Sequence, residues 1–378
     1  LRHIITILFI SLFLIGCAPK TVEVNTTTQN NKPSTLGTQI GEDKSLGTEI
    51  QTEEIGVFEP NDIVENEISV VEYKETVTIA FTYPSKVIGR YAKSSMNTML
   101  AYFDYKKLNY NIKVFDSQTE SPENIYNTFE MIKDSGITKV IALYSPKALA
   151  ALHELDTDDL EVYLPLTNKN ELLVDYNENF IYGGISYDDQ IDTLLAYSNI
   201  NNVMFYQESF LGKKLKSKYE SLVPEVSIVR AVQNKRNNFK ALVKDERLND
   251  TTLFLNTNLV KSSILLSQFT VYEIEPRVIL STQLNYNPKL ISLTQEKDRA
   301  NFVISNSIDK VDDKLIDIMK TYGADVEYNW VDYSTLVGIN YLYDANESLL
   351  INTLIEENQV KYEPKLFRST AFGFLEIK

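Results

Sequence analysis

Cysteine is almost missing from this chain: its 378 residues include one, Cys17, and only two histidines, His3 and His153. A single cysteine excludes an intramolecular disulfide and any cysteine-based zinc site. His3 lies in the leader and His153 sits between Leu152 and Glu154 on an acidic helix, where it reads as a partly exposed helix residue, so no metal site is expected. Nor does a Ser-His-Asp set assemble around it, and no catalytic residue is assigned. Glycine is also sparse, at 13 residues, and neither GxGxxG nor GxxxxGK[ST] follows any strand, which removes the phosphate cradles of dehydrogenases and kinases. No cofactor is expected. Basic residues are outnumbered, giving a formal charge of -15, and without a basic stripe a nucleic-acid partner is excluded.

The acidity is uneven. Between Ala18 and Glu75 there are 12 acidic and 4 basic residues, a net of -8, so the remainder is only mildly acidic. That stretch, rich in Thr, Asn, Gln and Glu, carries no sustained period of 2 or 3.6 and reads as a disordered tether over 17–75. A flexible chain of that length has a mean reach of about 40 Å.

What is present in strength is an alternation of strands and helices, beginning at Thr76. Thr76 to Tyr83 (TVTIAFTY) alternates β-branched and aromatic residues and breaks at Pro84. Ile88, Ala92, Met96, Met99, Leu100 and Phe103 then fall three or four apart on one helical face, opposite Arg90, Lys93, Asn97 and Asp104. Tyr110 to Phe115 forms a second strand, so the unit is βαβ with a parallel sheet. The pattern continues through strands at 139–144, 161–166 and 179–183. A second run has strands at 202–206, 226–232, 252–255 and 277–280, with helices between them. Two runs of about five α/β units predict an α/β fold of two Rossmann-like parallel-sheet lobes.

Before the tether, Ile4 to Ile15 is an apolar run of about a dozen residues, too short to span a bilayer and suited to a signal-peptide core. It ends in Leu14-Ile15-Gly16-Cys17, which resembles the lipobox of bacterial lipoproteins. The resemblance implies a signal peptide over 1–16 and lipidation of Cys17, hence a membrane anchor through the N-terminal lipid. In a diderm cell, Ala18 in place of an Asp implies sorting to the outer membrane, facing the periplasm.

Two βα lobes behind a secretory leader resemble the type I periplasmic-binding-protein fold. The segment Thr321 to Asp344 resembles that family's helix, loop and long crossover helix, and Phe367 to Ile377 its closing strand. The resemblance implies discontinuous lobes with three crossings: residues 76–185 plus 306–345 in the first, 186–305 plus 346–378 in the second. Gly183 to Gln190 (GGISYDDQ) and Val140 to Leu152 (VIALYSPKALAAL) resemble segments of the LppC-type lipoproteins, activators of penicillin-binding proteins, although Ala142 and Leu143 replace a Gly and a Pro of that pattern. This likeness implies a non-catalytic accessory of a peptidoglycan synthase as periplasmic partner. The alternative is a solute receptor of an ABC transporter for a small polar ligand such as an amino acid. If the cleft is used, the resemblance points to Ser145, Thr167, Ser186, Ser281 and Thr282, in loops after strands, where parallel sheets bind ligands. Hydroxyls in those places also serve as caps and turn residues.

Overall fold

The structure, a computed structural model, describes residues 21–25, 74–171, 177–199, 201–344 and 354–377. The expected leader, Cys17 and most of the expected tether lie outside the described residues. Among the described residues no helix is long and apolar enough to cross a membrane.

The first sheet grows from the βαβ unit. β2 (Lys74–Tyr83) pairs in parallel with β3 (Leu108–Asp116) and with β4 (Lys139–Ala142), and β5 (Glu161–Leu164) and β6 (Phe180–Tyr182) continue the parallel series. Period-2 alternation distributes each strand between two cores. Ile79, Phe81, Ile141, Tyr163 and Ile181 face one, with α1 (Ser85–Lys106). Ala80, Val140, Ala142, Val162 and Phe180 face the other, with Ile125, Phe129 and Ile132 of α2 (Pro122–Asp134) and Leu149 and Leu152 of the short α3 (Leu149–His153). Both faces are covered, as a parallel sheet requires. α1 stops where Lys107 adopts the left-handed conformation (φ 54°), while α2 begins with Ser121 capping Asn124 N and Pro122 in its first turn.

The second sheet repeats the plan. β7 (Asn202–Gln207), β8 (Val226–Val232), β9 (Thr252–Asn256), β10 (Val278–Ser281) and β11 (Phe302–Asn306) are parallel. Around it lie α4 (Tyr187–Leu194), α5 (Phe210–Leu222), α6 (Phe239–Val243), α7 (Leu259–Val271) and α8 (Pro288–Leu293). Leu253, Leu255, Ile279 and Ile304 pack on Leu265, Leu266 and Phe269 of α7. On the opposite face Tyr219 of α5 stacks on Phe254, centroids 4.1 Å apart. α9 (Asp313–Tyr322) and α10 (Trp330–Asp344) return to the first lobe and pack on α1. Trp330 is half-buried against the core.

Two features depart from the sequence reading. β12 (Leu354–Glu356) and β13 (Gln359–Lys361) form a hairpin in the first sheet, β13 lying parallel to β6. Of the 346–378 expected in the second lobe, the described residues 354–361 therefore belong to the first sheet, while β14 (Lys365–Ser369) joins the second antiparallel to β11 and β15 (Phe374–Glu376) antiparallel to β14. In addition, β1 (Thr21–Asn25), inside the stretch expected to be tether, pairs antiparallel with β3. With Lys74 and Glu75, which begin β2, the correction covers seven residues of 17–75. The final order is β1-β3-β2-β4-β5-β6-β13-β12 in one sheet and β15-β14-β11-β10-β9-β7-β8 in the other.

Candidate functional site between the lobes

Each parallel core reverses its strand order once, between β2 and β4 in the first sheet and between β7 and β9 in the second. The loops at these reversals are where an open α/β sheet leaves a crevice outside its carboxyl ends. After β4, Lys147 carries its ammonium 5.7 Å from the centre of the Phe210 ring, which follows β7, so the two switch regions approach each other.

At the first, Ser145 receives both oxygens of Glu120: its N–H donates to Oε1 at 2.6 Å and its hydroxyl donates to Oε2 at 2.8 Å. The same hydroxyl accepts from Lys147 N at 3.4 Å. Thr167, wholly buried, donates its hydroxyl to the Tyr144 carbonyl at 3.1 Å. Tyr144 is itself buried with its phenol 3.2 Å from the Thr82 hydroxyl, and burial pushes that phenol up to about 12. At the second, Gln207 accepts from Asn258 N at 2.9 Å and donates to Asn234 at 2.9 Å. Glu208 is held below the usual carboxylate range by Lys213, 2.5 Å away.

Ser281 ends β10 and Thr282 follows it, both wholly buried. Ser281 donates to the Thr282 carbonyl at 3.2 Å and accepts from Asn285 at 2.8 Å, while Thr282 donates through N–H and hydroxyl to Asn256 at 3.2 and 3.0 Å. Ser186 caps α4 by accepting from Asp189 N at 3.1 Å and keeps its own hydrogen free among these bonds. The five expected residues thus lie at the carboxyl ends of strands in both lobes, but their hydroxyls are mostly engaged within the chain. Sequence reading missed the partners that engage them: Glu120, Asn256 and Asn285. Glu120 and Asn256 pair across 25 and 26 positions, beyond any local pattern, while Asn285 reaches Ser281 from only four positions away.

The crossings are tightly bonded. The Gly183 carbonyl accepts from Ser334 and Tyr362, both at 2.7 Å, and the Gly184 carbonyl accepts from Asn168 at 3.0 Å and Gln359 at 3.2 Å. A Cβ at Gly183 would stand 2.1 Å from the Tyr163 phenol oxygen. Gln190 donates to Gln283 at 2.7 Å and to Ser307 at 2.9 Å, so the segment GGISYDDQ joins two crossings.

A half-open pocket of about 360 Å³ lies beside the crossings, and none of the five expected residues lines it. There Tyr286 meets Phe374 at 4.6 Å, Phe367 at 4.8 Å and Tyr328 at 5.6 Å between centroids, with Lys365 paired to Asp309 at the wall. Burial, together with Tyr328, Glu327 and Glu376, pushes the Tyr286 phenol up to about 12. No group of three His, Cys, Asp or Glu that could hold a metal ion occurs among the described residues.

No family model matches the sequence, and no curated protein matches it. Solved structures do match. The substrate-binding protein LivJ of the branched-chain amino acid transporter of Streptococcus pneumoniae, in complex with isoleucine, superposes with a TM-score of 0.55 at 10% identity, over 80% of this chain and 100% of that one. A putative branched-chain amino acid ABC transporter protein from Rhodospirillum rubrum gives 0.59 at 10% identity, with the same coverage. The C-domain of LpoA from Haemophilus influenzae, a regulator of PBP1A, gives 0.52 at 12% identity over 80% of this chain and 100% of that one. Against full-length LpoA the chain spans 61% of the other's length, at a TM-score of 0.54. With two lobes, two reversed parallel cores and these superpositions, the protein has the type I periplasmic-binding-protein fold.

Proposed function

We propose that the protein is a non-catalytic, lipid-anchored envelope lipoprotein that acts as an accessory or activator of a peptidoglycan synthase. The observation that carries this reading is the state of the cleft hydroxyls. Ser145, Thr167, Ser281 and Thr282 donate to groups of the chain itself, and three of the four are wholly buried. A receptor site for a small polar ligand needs convergent groups with unspent hydrogen-bonding capacity. The engaged hydroxyls favour action through the surface, while Asn256 Nδ2, Asn285 Oδ1 and Ser305 Oγ nearby stay buried without a hydrogen-bond partner among the described residues. LpoA is a regulator of PBP1A, and its C-domain is covered whole by this chain. Ala18 after Cys17 favours the outer membrane, a poor place from which to hand solute to an inner-membrane permease.

Affinity capture from crosslinked envelopes, with the tagged mature chain as bait, tests the proposal. Recovery of a peptidoglycan synthase is the expected outcome. Recovery of a transporter permease without any cell-wall partner overturns it.

A receptor for a small polar ligand is the second reading, favoured by the likeness to LivJ, whose structure holds isoleucine. Ligand at a hundred times its dissociation constant would then stabilise the fold by about 2.7 kcal/mol. An amino-acid screen without any thermal shift rejects it.

A further inference from the structure

The pocket beside the crossings stands on the outer strands of the second sheet. Phe367 of β14 lies opposite Ile304 of β11 on one side and opposite Glu376 of β15 on the other. Phe367, Glu376 and Phe374, two residues before it, therefore share one sheet face. Tyr286, in the loop after β10, meets both phenylalanine rings, and Tyr328, in the loop before α10, completes the cluster. All four rings are only half-buried.

Two features set this pocket apart from the engaged hydroxyls at the strand ends. The phenols of Tyr286 and Tyr328 have no hydrogen-bond partner among the described residues. The charges at the wall are paired except for one: Lys365 pairs with Asp309, Lys310 with Asp313 at 3.2 Å and Glu327 with Lys320 at 2.8 Å. Glu376 forms no ion pair among the described residues, and its charge reaches Lys365 and the Tyr286 phenol only through space. Aromatic faces, two phenol oxygens able to accept and one unpaired carboxylate therefore converge on a half-open space of about 360 Å³. Ring faces attract a cation. A guanidinium suits the rest of the set, because its flat face stacks on a ring and its donors fork onto a carboxylate.

The location shows how such a group can arrive. β15 is the last strand of its sheet, so one row of its backbone N–H and C=O groups faces no strand. Phe372, in the turn before it, is fully exposed. An open edge accepts an extended segment by strand addition, with alternate side chains entering pockets beside it. We propose that the pocket receives the arginine side chain of an extended segment of a protein partner, the guanidinium lying against the rings and forking onto Glu376 while the flanking backbone runs along β15. This goes beyond the synthase reading and stands on the pocket alone. Its test uses the purified protein, so a failed capture from envelopes and a failed titration are separate results.

The full chain in mild detergent is titrated calorimetrically with a blocked peptide carrying one arginine between valines. A second peptide has citrulline in its place, which keeps the shape and loses the charge. The arginine peptide is expected to bind, and the citrulline peptide to bind about tenfold more weakly. Glu376→Gln, at an exposed position, is expected to weaken the arginine peptide about tenfold as well. Glu130→Gln, exposed on α2 of the first lobe, is expected to leave it unchanged. Blocked arginine amide without the flanking residues is expected to bind more weakly than the peptide. No binding at about 10 mM peptide overturns the proposal, as does equal affinity for citrulline. Full affinity in Glu376→Gln, or an equal loss in Glu130→Gln, removes the site from this pocket and overturns it too. An amide that binds as tightly as the peptide overturns the protein partner as the source of the cation.

Discussion

The phenol of Tyr362 donates to the carbonyl of Gly183 across 2.7 Å, tying the last crossing between the lobes to the first. Ser334 of α10 donates to the same carbonyl at 2.7 Å and to that of Pro165 at 2.8 Å. Two donors distant in sequence thereby share one acceptor.

Tyr362→Phe removes one of two donors to Gly183 and is expected to cost about 1 kcal/mol, read as a lower urea midpoint. Adding Ser334→Ala leaves two buried carbonyls short of partners. The double variant is expected to lose more than the sum of the single losses, because only then is the Gly183 carbonyl stripped of both side-chain donors.

Two glycine substitutions are expected to act in opposite directions. Gly183→Ala drives a methyl to 2.1 Å from the Tyr163 phenol oxygen, an overpacking worth about 1–3 kcal/mol of destabilisation. Gly89→Ala on α1 meets nothing within 4 Å, and relief of backbone entropy is expected to raise stability by about 0.5–1 kcal/mol. Thermal melts of the two variants check both signs.

Acid sensitivity should centre on Asp245. Hydrogen bonds from Arg247, at 2.9 and 2.7 Å, and the charge of Arg230 hold its carboxyl well below the usual carboxylate range. A depressed folded pKa stabilises above the unfolded value near 4, and that stability disappears as the pH falls through the folded one. Stability of the parent is expected to decline from about pH 4 downward, and Asp245→Asn to show less of this decline while being weaker at neutral pH. Denaturant titrations between pH 2 and pH 7 measure the difference.

The contact between Lys147 and Phe210 joins the lobes at an exposed site. A double-mutant cycle of Lys147→Ala with Phe210→Ala is expected to give a coupling of about 0.5–1 kcal/mol. A coupling near zero would mean that the lobes do not hold this approach in solution.

Much of the fold was legible because it is written in short periods. The alternation of Thr76 to Tyr83 and the three-four spacing from Ile88 to Phe103 each specify an element within a few turns of chain. The hairpin of β12 and β13 was not, since its two turn residues, Glu357 (φ 46°) and Asn358 (φ 66°), lack the glycine that usually marks such a turn. Its three-residue strands are also too short to show a period. β1 failed to stand out for a similar reason: five residues of TVEVN amid polar text form a strand only where β3 offers an edge.

The amino-acid sequence by itself determined the succession of strands and helices, and with it two parallel cores, because local periodicity and chain connectivity leave few ways to bury those faces. It also placed hydroxyls at the ends of strands. Whether those hydroxyls are free was decided only by the tertiary structure. Ser145 meets Glu120 from 25 positions away and Thr282 meets Asn256 from 26. A hydrogen bond forms only between groups within about 3 Å, a distance that no local pattern encodes until the sheets bring their loops together.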